Sequence, residues 1–170
     1  MEIVTPRLLL RRARWDDLDA LHAVLSNDRA MVYWSSPPHE RREQTEEWLA
    51  AMIDAPPELS DDFVVVRDGH VIGKAGAWRL PEIGYALHPD HWGQGLAREA
   101  LAAFISHVFT RPDVTQLTAD VDPRNPASLR LLASLGFRET GRAERTCHTH
   151  IGWCDSVYFA LDESDWHRPA

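Results

Sequence analysis

The sequence predicts a single domain of mixed α/β (α+β) class. Between residues 63 and 88, short apolar runs are separated by tight turns, the pattern of an antiparallel meander. From residue 96 onward, helical and strand patterns alternate. No Gly/Ser linker, internal repeat or low-complexity tract interrupts the 170 residues, so 1–170 reads as one unit. At 44% hydrophobic, that length buries a sizeable core without cross-links.

Taken in order, residues 3–13 read as a strand entering from a turn at Thr5-Pro6. Trp15-Asp16-Asp17 opens a helix carrying Leu18, Leu21, Ala23 and Leu25. Ser35-Ser36-Pro37-Pro38 breaks the chain, because proline lacks the amide that a helix needs. Residues 40–53 are helical, with Trp48, Leu49 and Met52 on one side, and Asp54-Ala55-Pro56-Pro57 ends them. Phe63 to Val66 and Val71 to Trp78 form an antiparallel pair about the turn Asp68-Gly69. Leu80-Pro81 turns the chain into Ile83-Gly84-Tyr85-Ala86-Leu87. Then come a helix over 96–109, a strand over 114–121, a helix over 126–135, and strands near 137–146 and 150–161.

Charge narrows the function. Eighteen basic residues against twenty-six acidic ones leave a net charge of -8, which repels nucleic acid and favours cationic partners. Near the start, two arginines follow the only apolar run, the reverse of a secretory signal. No run of about 18 apolar residues exists to span a membrane. Two cysteines fit a reducing, cytoplasmic compartment.

Chemistry is concentrated where strand 82–88 runs into His91-Trp92-Gly93-Gln94-Gly95-Leu96-Ala97. Glycines at a strand-to-helix junction let the backbone approach a ligand, and the helix that follows offers unpaired N–H groups to an anion. Arg98 and Gln94 add side-chain donors, the guanidinium being better matched to phosphate. A P-loop is excluded, because Gly95 is followed by Leu96-Ala97 instead of Lys-Ser/Thr. A dinucleotide fingerprint fails as well: its third small residue falls on Arg98. An unliganded Gly-rich turn stays open on the loop alone.

Further along, Asp120-Val121-Asp122-Pro123-Arg124-Asn125-Pro126-Ala127-Ser128 precedes Leu131 to Phe137. Asn125 reads as an N-cap, Pro126 as the first helical residue and Gly136 as the helix stop. The Gly-x-Gly-x-Ala loop, the later Asn-x-x-Ser and the Leu-Gly-Phe ending together resemble the GNAT superfamily of N-acetyltransferases. Thr5-Pro6-Arg7-Leu8-Leu9-Leu10-Arg11, Ile83-Gly84-Tyr85 and Gly152 to Tyr158 are similar to its ribosomal-protein N-terminal (alanine) acetyltransferase branch.

That resemblance implies a mixed, mostly antiparallel sheet flanked by helices, in which strands 83–88 and 114–121 lie parallel and splay apart. Acetyl-CoA, as co-substrate, would place its pyrophosphate on residues 93–98 and its arm along strand 83–88. The cofactor-binding residues implied are Leu87, His88, Trp92, Gly93, Gln94, Gly95, Leu96, Ala97, Arg98, Asn125 and Ser128. The family tyrosine near the departing sulfur is Leu132 here, which makes Ser128 the candidate donor to the thiolate. Attack by an amine requires loss of its proton, for which Asp120 and Glu82 are the candidate catalytic carboxylates. An amide near Leu87 or His88 would stabilise the oxyanion. Tyr33 and Trp34 are expected to line the pocket of the amine substrate, a peptide N-terminus or a small cationic amine. A non-catalytic acyl-CoA-binding module is the alternative, and a homodimer stays open. Cys147, His148, His150 and Cys154 are zinc-type donors, yet they lie around a predicted strand with no second paired motif, and no metal is expected.

Overall fold

The computed structural model describes residues 1–167. The strand expected over 3–13 is a hairpin of two short strands, β1 (Glu2–Val4) and β2 (Leu9–Arg11). Thr5 makes the turn: its amide donates to the Leu8 carbonyl at 2.9 Å, and its hydroxyl accepts from the Leu8 amide at 2.9 Å. After a 3₁₀ turn at Trp15–Asp17 come α1 (Leu18–Leu25), α2 (Asp28–Met31) and α3 (Arg42–Asp54). The four-residue α2 is absent from the sequence reading because it is too short to show a period. It is held by its cap, Asn27 Oδ1 accepting from the amides of Arg29 (3.0 Å) and Ala30 (3.2 Å).

Next come β3 (Asp61–Arg67), β4 (His70–Arg79), β5 (Glu82–Leu87) and α4 (Leu96–Val108). The chain finishes with β6 (Gln116–Val121), α5 (Pro126–Ser134), β7 (Arg138–Thr149) and β8 (Gly152–Asp162). All eight strands form one sheet in the order β1-β2-β3-β4-β5-β6-β8-β7. Every neighbouring pair is antiparallel except β5 and β6.

The parallel pair positions the site. β5 and β6 meet only where Glu82 lies opposite Thr118, whose amide donates to the Pro81 carbonyl at 2.9 Å. Beyond that point β4 still holds β5 as far as Leu87, and β8 still holds β6 as far as Val121. Each strand is pulled to its own side, and the sheet splits.

Apolar residues cover both faces. One face packs α4 through Leu96, Ala100, Leu101, Phe104 and Val108, the stripe expected from the sequence, against Leu10, Phe63 and Leu117. The opposite face packs Leu18 and Leu21 of α1 and Leu49 and Met52 of α3 against Val64 and Val66. Each fully buried Leu or Phe contributes roughly 1.5–3 kcal/mol, so the start of α4 stands on a rigid base.

Candidate active site

The split opens a cleft of about 900 Å³ between β5 and β6. At one end lies the loop before α4. Gly93 (φ 71°) and Gly95 (φ 74°) are left-handed, a conformation that side-chain-bearing residues rarely adopt. Gly95 caps α4, and the first intrahelical bond runs from the Glu99 amide to the Gly95 carbonyl at 3.0 Å. The amides of Leu96, Ala97 and Arg98 therefore have no partner in their own helix, and all three residues line the cleft.

Two expected ligand contacts move. The Gln94 side chain is used within the fold, accepting from Arg67 Nη1 at 2.7 Å and donating to the Asp90 carbonyl at 3.1 Å. His88 lies outside the cleft lining, and its amide donates to the Ile72 carbonyl at 2.8 Å, so it does not face the split. Strand amides alternate between edges, which turns the Leu87 amide to the open edge of β5. Trp92 lines the cleft; its indole N–H donates to the Leu87 carbonyl at 2.8 Å, and the Arg29 guanidinium stands 5.3 Å from its ring centre.

The wall opposite is the first turn of α5. Asn125 Oδ1 accepts from the Ser128 amide at 3.1 Å, which leaves the Asn125 NH₂ group to donate into the cleft. Leu132 is fully buried in the core and presents nothing to the cleft. The phenol in this neighbourhood comes instead from β5. The Tyr85 hydroxyl is buried beside Ser128, with no partner in hydrogen-bond geometry among the described residues. Burial pushes that phenol up to about 12, against a weaker opposite pull from Ser128. Sequence reasoning quoted Tyr85 without giving it a role; period-two alternation in β5 was the available signal, placing it on the face that carries Ile83 and Leu87.

Carboxylates gather at the other end. Glu82 and Asp120 are exposed and line the cleft, and Ser156 Oγ donates to Asp120 Oδ2 at 3.0 Å. Asp122, missed by the sequence reading, is nearly buried and gripped by Arg124 at 2.9 and 2.6 Å. That guanidinium holds the Asp122 carboxyl below the usual carboxylate range, and its Nη2 also donates to Cys154 Sγ at 3.0 Å. The signal was local: Asp two residues before Arg makes an Asx turn, with Arg124 N–H donating to Asp122 Oδ1 at 2.8 Å. Cys154 faces Cys147 across β7 and β8, and both are free thiols.

Tyr33 and Trp34 follow α2 and line the same end. A Cβ on Gly84 would stand 3.7 Å from the Trp34 ring, so the glycine leaves room for the indole over β5. Beneath it, Lys74 is sandwiched 5.6 Å from the Trp34 ring centre and 5.3 Å from that of Trp48. Lys74 is itself buried in an ion pair with Asp62 at 2.6 Å.

A family model described as "Acetyltransferase (GNAT) domain" matches residues 7–138. An uncharacterized N-acetyltransferase, p20, of Bacillus licheniformis is 30% identical over 148 residues, covering 82% of this chain and 83% of that protein. The [ribosomal protein uS5]-alanine N-acetyltransferase of Escherichia coli is 33% identical over 91 residues, 54% of this chain and 47% of that one. The crystal structure of Vibrio cholerae spermidine N-acetyltransferase with CoA and spermine shares the fold at a TM-score of 0.83 and 23% identity, covering 95% of this chain and 98% of that one.

Proposed function

We propose, from the premise that this chain belongs to the acetyltransferase (GNAT) domain family, that the cleft between β5 and β6 is where it moves an acetyl group from acetyl-CoA to a primary amine. The enzyme is an acetyl-CoA-dependent N-acetyltransferase. One observation carries the placement: a single cleft joins unpaired α4 amides at one end to exposed carboxylates at the other. The donor set fits acetyl-CoA. Leu96, Ala97 and Arg98 offer amides to a pyrophosphate, the free β5 edge offers a strand to pair with, and a buried phenol awaits a partner.

In this reading Arg98 and the α4 amides bind phosphate, and the Asn125 NH₂ group holds the cofactor arm. When bound, acetyl-CoA supplies an activated thioester carbonyl. The Leu87 amide donates to the oxygen that becomes negative as the amine attacks. Ser128 stands by the departing sulfur. Asp120 and Glu82 draw off the amine's proton, directly or through water; at pH 7 that deprotonation costs about 4–5 kcal/mol for a lysine-like amine and about 1 kcal/mol for an α-amine.

The acceptor is a cationic amine seated between Tyr33 and Trp34, with Glu82 and Asp120 attracting its charge. Relatives that act on a ribosomal-protein alanine and on spermidine point to the same chemistry. A net charge of -8 opposes nucleic acid as a partner, and two free thiols fit the cytoplasm. No helix among the described residues is long and apolar enough to cross a membrane.

Acetyl-CoA consumption, read as free thiol against N-terminal peptides, polyamines and aminoglycosides with calorimetry in parallel, tests the reading. Turnover with one class is the expected result and names the substrate. Tight binding without turnover across the panel would replace the reading with an acyl-CoA-binding module, and absence of binding would overturn the cleft assignment.

A further inference from the structure

The segment Thr5-Pro6-Arg7 has no part in the cleft described so far, yet it reaches the start of α4. Glu99 lies in the first turn of that helix. An acid there suits a helix whose start is empty; beside amides that take a diphosphate, it opposes the incoming charge.

In this chain that acid is fully occupied. Glu99 Oε1 accepts from Thr5 Oγ1 at 2.6 Å and from the Arg7 amide at 2.9 Å. Glu99 Oε2 accepts from Arg7 Nε at 2.6 Å, with Arg7 Nη2 also at 2.6 Å. The third arm of the guanidinium, Nη1, donates to the Gln94 carbonyl at 2.9 Å, between the two left-handed glycines. Gln94 is fixed a second time through its side chain by Arg67. Arg7 Nη2 is the nearest atom to where a Gly95 Cβ would stand, at 3.6 Å. A residue from the first turn of the chain therefore touches both the loop and the acid behind it.

We infer that Arg7 is a positioning residue for the acetyl-CoA loop, cancelling the Glu99 charge and pinning the Gln94 carbonyl so that the Leu96–Arg98 amides meet a diphosphate without a competing anion. The inference rests on the cleft reading above. Burial raises the Glu99 carboxyl, but hydrogen bonds from Thr5 and Arg7 outweigh it and hold the group below the usual carboxylate range. Glu99 is thus a full negative charge at neutral pH, and Arg7 is the cation that meets it. A lysine carries the charge but lacks the fork that reaches carboxylate and carbonyl together.

The test is calorimetric titration of purified protein with CoA, alongside kcat and the acetyl-CoA KM. Arg7→Ala is expected to weaken CoA binding and raise that KM about tenfold while kcat stays within about twofold. Arg7→Lys is expected to fall between. Glu99→Gln placed in the Arg7→Ala background is expected to recover the part of the lost affinity that the uncancelled acid costs, while the part owed to the unpinned Gln94 carbonyl stays lost. Glu99→Gln alone, which keeps Arg7 in place, is expected to bind CoA at least as tightly as the unaltered protein and serves if Arg7→Ala does not fold. An unchanged KM in Arg7→Ala overturns the inference. So does an Arg7→Ala defect that Glu99→Gln leaves uncorrected, or a Glu99→Gln variant that binds as poorly as Arg7→Ala. Failure of the unaltered protein to bind CoA would instead remove the cleft reading itself.

Discussion

In the proposed reading, the cofactor end of the cleft is made of backbone and the acceptor end is made of side chains. Unpaired amides from one contiguous run, Leu96 to Arg98, line the first, set by two left-handed glycines and braced by Arg7 and Glu99. The second assembles Tyr33 and Trp34 after α2, Glu82 at the start of β5, Asp120 near the end of β6 and Ser156 from β8. A backbone site recognises what every donor molecule shares. A side-chain site can change its acceptor by single substitutions without disturbing the sheet.

The sharpest way to break that comparison is at the acceptor end. Asp120→Asn removes a base and keeps the shape, so the acetylation rate should fall by about a hundredfold. The acetyl-CoA KM should hold within about twofold. Steady-state kinetics with both substrates varied checks it, and an unchanged rate would transfer the role to Glu82. At the other end, Gly95→Ala forces a residue with a side chain to φ 74°. A loop that relaxes away from this strain of about 1–3 kcal/mol must regain it to bind, which corresponds to a loss of roughly fivefold to a hundredfold in acetyl-CoA affinity. The open space around Gly95 makes this a test of backbone conformation and not of a clash, since a Cβ there would meet only Arg7 Nη2 at 3.6 Å.

The same division decides how much was legible in the sequence. The demands of the cofactor end are local: φ at Gly93 and Gly95, a cap at Asn125, an apolar stripe along α4. Each leaves its mark within a few residues: the cap and the stripe stand where the sequence puts them, and the glycine pair marks the junction whose φ values the structure supplies. Arg7 and Glu99 are 92 positions apart, and nothing in the spacing of either announces the other. His88 was named as an oxyanion donor because it adjoins Leu87 in sequence. Which edge of β5 an amide faces depends on pairing with β4, and that pairing gives His88 to Ile72. Gln94 was assigned to phosphate by its place in the loop, whereas Arg67, from the end of β3, takes its side chain. The turn at Thr5-Pro6 is legible within 3–13, but the strand before it is not, because β1 is only three residues long and shows no alternation.

A smaller effect probes the aromatic wall. Trp34→Ala should raise the acceptor KM about fivefold, the loss of a cation–π contact worth about 0.5–2 kcal/mol, while the acetyl-CoA KM stays put. Trp34 also covers the buried Lys74, so a thermal melt should accompany the kinetics. A rise in both KM values would show that the wall serves the whole cleft and would weaken the division between its ends.

The smallest effect on stability is expected where the two ends meet, at Tyr85. Deleting a buried hydroxyl with no partner in hydrogen-bond geometry among the described residues forfeits no hydrogen bond, so Tyr85→Phe should change neutral-pH stability by less than about 1 kcal/mol. Its signature lies at alkaline pH. Burial raises the folded-state value to about 12 from the ordinary 10.0, so the neutral phenol is the form that the fold favours. The stability that depends on it is complete below 10.0 and is lost as pH rises through about 12. Denaturation followed across that range should show the loss in the unaltered protein and a shallower one in Tyr85→Phe. Added CoA should deepen the contrast if the phenol's partner is the ligand. A large loss of stability at neutral pH in Tyr85→Phe would instead show that Ser128 already satisfies the hydroxyl, making Tyr85 part of the wall and not of the ligand's surroundings.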